Sequence, residues 1–217
     1  MLRVRVISFD LEGTLVDMVF SDKVWNEGVP RLFALKNDLS FEEAKRIVMD
    51  EYARIGENRV EWYDIAYWFN RFGLSGLESL LEEYKGYIRF FPEVKEVLEE
   101  LSGKFTLVLA TNSNRLFIKA LAKEIMHYFR QIFSATSDFK LLKGNSEFYR
   151  RICGILKVRP EEVVHVGDRW VDDFQSPRSI GIRAYLLDRN GKMGHMDLAG
   201  SVIADLRELA EMVMADF

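Results

Sequence analysis

Three short apolar runs, each halted at once by a polar cluster, constrain the fold of this chain more than any other feature. Val4, Val6, Ile7 and Phe9 lead into Asp10-Leu11-Glu12-Gly13-Thr14. Phe105–Ala110 leads into Thr111-Asn112-Ser113, and Glu162–Val166 into Gly167-Asp168. Short apolar runs bounded by turn residues read as buried strands. Ile182–Leu187 and a shorter run, Ile132–Ser134, extend the series. Helical spacing fills the gaps between them. Strands alternating with helices imply an α/β fold built on a doubly wound parallel sheet.

One gap is far longer than the others. Val24, Trp25, Gly28, Val29, Leu32 and Phe33 recur at three- and four-residue steps, predicting a helix over about 21–34. Ser40 with Glu43 forms a capping-box pattern ahead of a helix ending near Ile55. Further helices are expected over about Val60–Phe72 and Leu77–Tyr87, with Gly73 and Gly76 between them. The chain therefore reads as a core of residues 1–16 and 91–217 interrupted by a helical insert, 17–90. After it, Pro92 opens a helix. A helix after Asn112 runs to about Ala122, and another from Ser146, a suitable N-cap, to Leu156. Asp172–Ile180 and Ala204–Met214 read as the last two helices.

Parallel strands share the direction of their carboxyl ends, where ligands bind in open α/β sheets. That edge gathers Asp10 and Glu12, Thr111 and Asn112, and Asp168 with Asp172 and Asp173. Lys143 lies in the loop ahead of the Ser146 helix. Carboxylates crowded on one edge repel one another unless a cation is present. Oxygen ligands in an open site suit Mg²⁺, held by one or two carboxylates, water and a substrate phosphate. A nearby hydroxyl and a lysine offer donors to phosphate oxygens. An Asp nucleophile, Mg²⁺ and a cationic clamp together describe phosphoryl transfer through an aspartyl phosphate.

With these motifs in order, the chain resembles the haloacid dehalogenase-like (HAD) hydrolase superfamily over nearly its whole length. The family's DxDGT motif stands here as DLEGT, its strand ending in Thr or Ser as LVLATNS, and its GDxxxD or GDxxxxD as GDRWVDD. The motif lysine ahead of a helix is matched best by Lys143, with Lys140 the alternative. The resemblance implies a Rossmann-like core with an α-helical type 1 cap. It implies that Asp10 attacks phosphorus, that Glu12 is the acid/base, and that Thr111, Asn112 and Lys143 hold the phosphoryl group. It further implies Mg²⁺ ligation by Asp10, the Glu12 carbonyl and Asp168, with Asp173, or else Asp172, supporting the metal. Glu12 stands where most of the family's phosphatases have Asp, although enolase-phosphatases also carry Glu. The expected reaction is Mg²⁺-dependent hydrolysis of a small phosphorylated metabolite. Binding of a phosphorylated ligand or partner without turnover, and a phosphomutase, are the alternatives.

Composition narrows the partners. With 48% hydrophobic and 29% charged residues the chain is globular, and a net charge of −4 argues against nucleic-acid binding. The lone Cys153 permits no intrachain disulfide and reads as a core residue; His165, on a buried strand, and His195, in the Gly-rich loop GKMGH, have no metal-ligand spacing and read as structural. Arg3, Arg5 and Asp10 break the amino-terminal run, and no apolar stretch reaches membrane-spanning length, so a cytoplasmic address is expected. Trp25, Trp62, Tyr63, Tyr67 and Trp68 read as packing of the helical block, with one or two free to face the substrate. The oligomeric state is open.

Overall fold

A computed structural model describes residues 3–191 and 200–215. Six strands form one all-parallel sheet: β1 (Val6–Phe9), β2 (Thr106–Thr111), β3 (Gln131–Ser134), β4 (Val163–Gly167), β5 (Arg183–Leu187) and β6 (Val202–Ile203). Their spatial order is β3-β2-β1-β4-β5-β6, so the direction of winding reverses between β1 and β4. A crevice opens at such a reversal, beyond the strands' carboxyl ends. The register aligns what enters it. Phe9 lies opposite both Leu109 and Val166, so Asp10, Thr111 and Asp168 leave the sheet within a residue or two of one another.

Alternation along the strands divides the core between two faces. Ile7, Phe9, Leu107, Leu109, Val164 and Val166 point to one, where helices Val94–Ser102, Arg115–Leu121 and Leu206–Ala215 pack. Val6, Val108 and Val163 point to the other, against Phe148, Tyr149 and Ile152 of helix Glu147–Leu156. The first apolar cluster continues through Leu11, Leu15 and Phe20 to Val48, Tyr52 and Trp68, so the segment between β1 and β2 is packed continuously with the sheet.

That segment is helical throughout, with two departures from the simple periodic reading. Around Pro30 the first helix takes π geometry over Val24–Gly28, between α-helical Val19–Lys23 and Val29–Asn37. Proline has no N–H to give the carbonyl four residues back, and the turn widens there. The expected single helix over 60–72 is two: a 3₁₀ turn, Val60–Tyr63, then Ile65–Phe72. Asp64 separates them because its carboxylate accepts from the N–H groups of Ala66 and Tyr67 and caps the second. The Ser40–Glu43 capping box forms as read.

Two other expectations are corrected. Ser146 does not cap its helix; the Asn145 side chain accepts from Glu147 N–H at 3.1 Å instead. The helix expected over 172–180 is a π turn, Trp170–Gln175, leading into a short Ser176–Arg178 helix at Pro177. The strand β6 was not anticipated, being two residues long. His195 lies outside the described residues. Among the described residues, no helix is long and apolar enough to cross a membrane.

Candidate active site

Asp10 follows β1 directly and is 6% exposed, its N–H bound to the Val166 carbonyl. Thr14 donates its hydroxyl to Asp10 Oδ2 at 3.3 Å, and the Lys143 ammonium binds Oδ1. Gly13 makes the tight return possible. Its φ is +84°, and a Cβ there would lie 2.4 Å from Asp168 Oδ2. The Asp168 carboxylate therefore packs against bare backbone beside Asp10.

Lys143 is fully buried, with Nζ between Asp10 Oδ1 and Asp173 Oδ1, the latter at 2.5 Å. Burial alone would strip its proton, but the two carboxylates outweigh it and hold the ammonium charged. Asp173 shows the reciprocal balance. Burial pushes it up, and Lys143 with His165 more than offsets this, keeping it ionised. Gly167 makes room for it: a Cβ there would fall 2.2 Å from Asp173 Cγ. Asp173 Oδ2 also accepts from the Arg169 N–H at 2.9 Å. Of the alternatives left open by the motifs, the lysine at the site is Lys143, whereas Lys140 is exposed on a left-handed turn. The carboxylate paired with it is Asp173. Asp172 instead accepts from the Asn112 side chain at 3.1 Å and lies 3.5 Å from Arg169 Nε.

Asn112 therefore acts at both ends of its amide. Its Oδ1 accepts from the Lys143 N–H at 2.9 Å while Nδ2 reaches Asp172, tying the lysine loop to the end of β2. Thr111 is buried, its hydroxyl oxygen accepting from the Ser113 N–H. Glu12 lies to one side. Ser21, from the first helix after β1, donates to Oε1, and Ser113, after β2, donates to Oε2. Burial raises the Glu12 carboxyl above its usual range, and these two hydroxyls partly offset the shift.

Carboxylate oxygens of Asp10, Asp168 and Asp173 lie within 4.8 Å of one another, a separation that suits a shared cation. The three are not equivalent. Asp173 has both oxygens engaged, whereas Asp168 Oδ1 is buried without a hydrogen-bond partner. An orphaned carboxylate oxygen beside a second carboxylate fits a hard divalent metal. Asp168 thus offers the one free carboxylate oxygen of the three, while Asp10 and Asp173 lie within reach of a shared ion and both also bond Lys143. Burial, reinforced by Asp173, pushes the Asp168 carboxyl up to about 6.

Behind Asp173 sits His165, wholly buried. Nδ1 lies 2.8 Å from Ser8 Oγ, and Nε2 lies 3.0 Å from Asp173 Oδ1 and 3.1 Å from the Tyr149 hydroxyl. Desolvation lowers its pKa, so the ring is neutral and structural. Cys153 is buried on the same face of the sheet, its thiol pushed up to about 11 by burial.

A cavity of about 510 Å³ opens above these groups, lined at its base by Asp10, Glu12, Thr111, Lys143 and Asp168. Its far wall comes from the segment between β1 and β2, including Trp25, Tyr52, Trp62 and Tyr63. Tyr67 and Trp68 pack edge to face at 5.3 Å and do not line it. Asn114 Nδ2 donates to the Tyr63 carbonyl at 3.0 Å, and Arg169 reaches Glu57 at 3.2 Å, so both sides of the cavity are bonded directly.

A family model for haloacid dehalogenase-like hydrolases matches residues 4–181. The chain belongs to this family. It is 24% identical to a glyceraldehyde 3-phosphate phosphatase of Pyrococcus furiosus, across 98% of this chain and 94% of that one. It is also 24% identical to a human N-acylneuraminate-9-phosphatase, covering 87% of this chain and 84% of the relative. Among solved structures, a HAD phosphatase from Thermococcus onnurineus superposes with a TM-score of 0.84 at 25% identity, over 97% of this chain and 98% of that one. Membership of this hydrolase family accounts for the strand-end motifs in their observed order. Ser21 and Tyr52 carry no such signal, whereas Trp25, Trp62 and Tyr63, among the aromatics read as packing with one or two free to face the substrate, line the cavity. Ser113 carries one, as the last residue of LVLATNS, but its partner, Glu12, is 101 positions away.

Proposed function

We propose that this protein is a Mg²⁺-dependent phosphatase of small phosphomonoesters, in which residues 17–90 cap a core of residues 1–16 and 91–217. One observation carries the reading: Asp10, which is paired with Lys143, and the unpartnered Asp168 oxygen meet at the floor of a cavity of about 510 Å³. Asp10 and Asp168, with the Glu12 carbonyl, would hold the metal, which when bound would neutralise charge on the phosphoryl oxygens. Asp10 attacks phosphorus in line, and the leaving oxygen takes its proton from Glu12. The Glu12 carboxylate then draws a proton from water as that water attacks the aspartyl phosphate, releasing inorganic phosphate and restoring Asp10. Lys143 and Thr111 hold the phosphoryl oxygens. Asn112 and Asp173 position Lys143. The acid and base roles suit a carboxyl whose pKa burial has raised above its usual range.

The test is a Mg²⁺-dependent assay on 4-nitrophenyl phosphate with wild type and Asp10→Asn, together with acid quenching of a radiolabelled substrate. Label on Asp10 and loss of turnover in Asp10→Asn are expected. Label on another residue, or turnover surviving Asp10→Asn, overturns the assignment.

A further inference from the structure

The cavity wall opposite Asp10 restricts what the phosphate can be attached to. Tyr52 packs edge to face against Trp25, with centroids 5.7 Å apart, and against Trp62 at 6.1 Å. Trp25 is backed in turn by Phe117, stacked at 5.5 Å. All four rings line the cavity, so its far end is an aromatic surface held rigid by its own packing. The Tyr52 hydroxyl is buried within this wall and has no hydrogen-bond partner. A buried hydroxyl without a partner is a site that a ligand atom can satisfy.

Charge narrows the choice further. Among the described residues, Asp10, Glu12, Asp22, Glu57, Asp168 and Asp172 line the cavity against two basic side chains, Lys143 and Arg169. Both cations are already paired. Lys143 lies between Asp10 and Asp173, and Arg169 reaches Glu57 at 3.2 Å and Asp172 at 3.5 Å. The phosphate would take up Lys143. Among the described residues no unpaired cation then faces the rest of the substrate, since Arg169 is held by Glu57 and Asp172, whereas Asp22 also lines the cavity. A second anionic group would meet carboxylates with nothing to balance it.

We infer that the substrate's phosphate is its only anionic group, and that the phosphate is carried on a flat, largely apolar body with a hydrogen-bonding edge placed against Trp25, Tyr52 and Trp62. This rests on the phosphatase reading above. It disfavours carboxylated phosphate esters and diphosphates as substrates of this chain.

The experiment compares alkyl esters with similar leaving groups: 2-(1-naphthyl)ethyl phosphate, ethyl phosphate and 2-phosphoglycolate. Turnover and equilibrium binding, by tryptophan fluorescence, are measured on wild type, Trp62→Ala, Tyr52→Phe and Glu57→Gln. The naphthyl ester is expected to exceed 2-phosphoglycolate at least thirtyfold in kcat/KM and in affinity. Trp62→Ala should raise KM for the naphthyl ester about tenfold more than it raises KM for ethyl phosphate. Glu57→Gln, by releasing Arg169, should shift preference toward 2-phosphoglycolate. Equal or better use of 2-phosphoglycolate by wild type overturns the inference while leaving the phosphatase reading standing. Absence of turnover on all three esters, with selective binding of the naphthyl ester, removes the phosphatase reading and supports the inference about the wall. Tyr52→Phe reports the edge contact: unchanged affinity for a hydroxyl-bearing naphthyl analogue removes that part of the inference.

Discussion

Gly167→Ala should be among the most damaging single-methyl additions to this protein. The new Cβ would sit 2.2 Å from Asp173 Cγ and 2.7 Å from its Cβ, inside any real contact distance. Asp173 is wholly buried, so its side chain has no solvent to move into. Displacing it also separates it from Lys143, at 2.5 Å, and from His165, at 3.0 Å. Overpacking of a tight core costs about 1–3 kcal/mol. Leaving a buried charge without its partner costs about 3–5 kcal/mol. Part of this overlaps, since one movement causes both, and a net loss of at least about 3 kcal/mol is expected. For a chain of this length that corresponds to a fall in Tm of roughly 6–12 °C or more. Gly154→Ala supplies the control. Gly154 lies within helix Glu147–Leu156, and a Cβ there meets nothing within 4 Å. The same substitution should raise stability by about 0.5–1 kcal/mol, through helix propensity alone. Thermal unfolding of both variants beside wild type decides the matter. A Gly167→Ala protein within 1–2 °C of wild type would refute the packing of Asp173 against bare backbone.

Other expected outcomes follow from the same cluster. Asp168, with its carboxyl pushed up to about 6, favours the proton in the folded state, so its ionisation lowers stability as pH rises from about 4 to above 6. Without added metal, Asp168→Asn should therefore be more stable than wild type at pH 7.5, by up to about 3 kcal/mol, and no more stable near pH 4; Mg²⁺ should raise the Tm of wild type and leave this variant unmoved. Lys143→Met should lose about 3–5 kcal/mol in urea unfolding, because Asp10 and Asp173 lose their common counter-charge, and adding Asp173→Asn should recover more than 1 kcal/mol of it. Glu12→Asp should lower kcat by roughly tenfold to a hundredfold, since a shorter arm cannot meet Ser21 and Ser113 together. Ser113→Ala should shift the Glu12 limb of the pH–rate profile upward, because it removes a hydrogen bond that favours the carboxylate.

The strands that build the site are legible in the sequence because each is a short apolar run stopped by a polar cluster, as in Phe9-Asp10 and Val166-Gly167-Asp168. β6 is not, because two residues carry no period. Asp64 and Pro30 show a different limit. Each interrupts a helix through its own chemistry, a capping carboxylate and a missing N–H, inside a hydrophobic pattern that runs on regardless. Motif order brings Asp10, Lys143, Asp168 and Asp173 to one edge, and spacing alone leaves Asp172 against Asp173 and Lys140 against Lys143 open. The difference lies in which side chain points inward at a turn, a property of the π turn over Trp170–Gln175 and of the Asn112–Lys143 bond. Asn112 is read from sequence as a phosphate donor, yet its amide is spent on the lysine loop and Asp172. The cavity wall is hidden for the opposite reason. Trp25, Tyr52 and Trp62 look like packing because they are packing, and only their placement over Asp10 makes their remaining faces a surface for a ligand.

The Glu at position 12 then reads differently in sequence and in structure. As a motif residue it is one methylene too long, and a carboxylate displaced by roughly 1 Å can cost on the order of a hundredfold in rate. In the fold, that extra length carries it to two hydroxyls from different segments, Ser21 in the helical segment and Ser113 after β2. Ser113 is fixed by the end of β2, where its N–H binds Thr111 and its carbonyl accepts from Ser134. Ser21 belongs to the helical segment that lines the cavity wall. A carboxylate held at both oxygens has its position and rotamer fixed before water attacks, which is what a base that draws a proton from that water requires. An Asp would satisfy the β2 side or the helical side and not both. Glu12 is therefore also the residue through which a displacement of the helical segment would reach the acid/base group: separating Ser21 from Ser113 breaks one of its two bonds and removes one of the two interactions that favour the carboxylate over the acid.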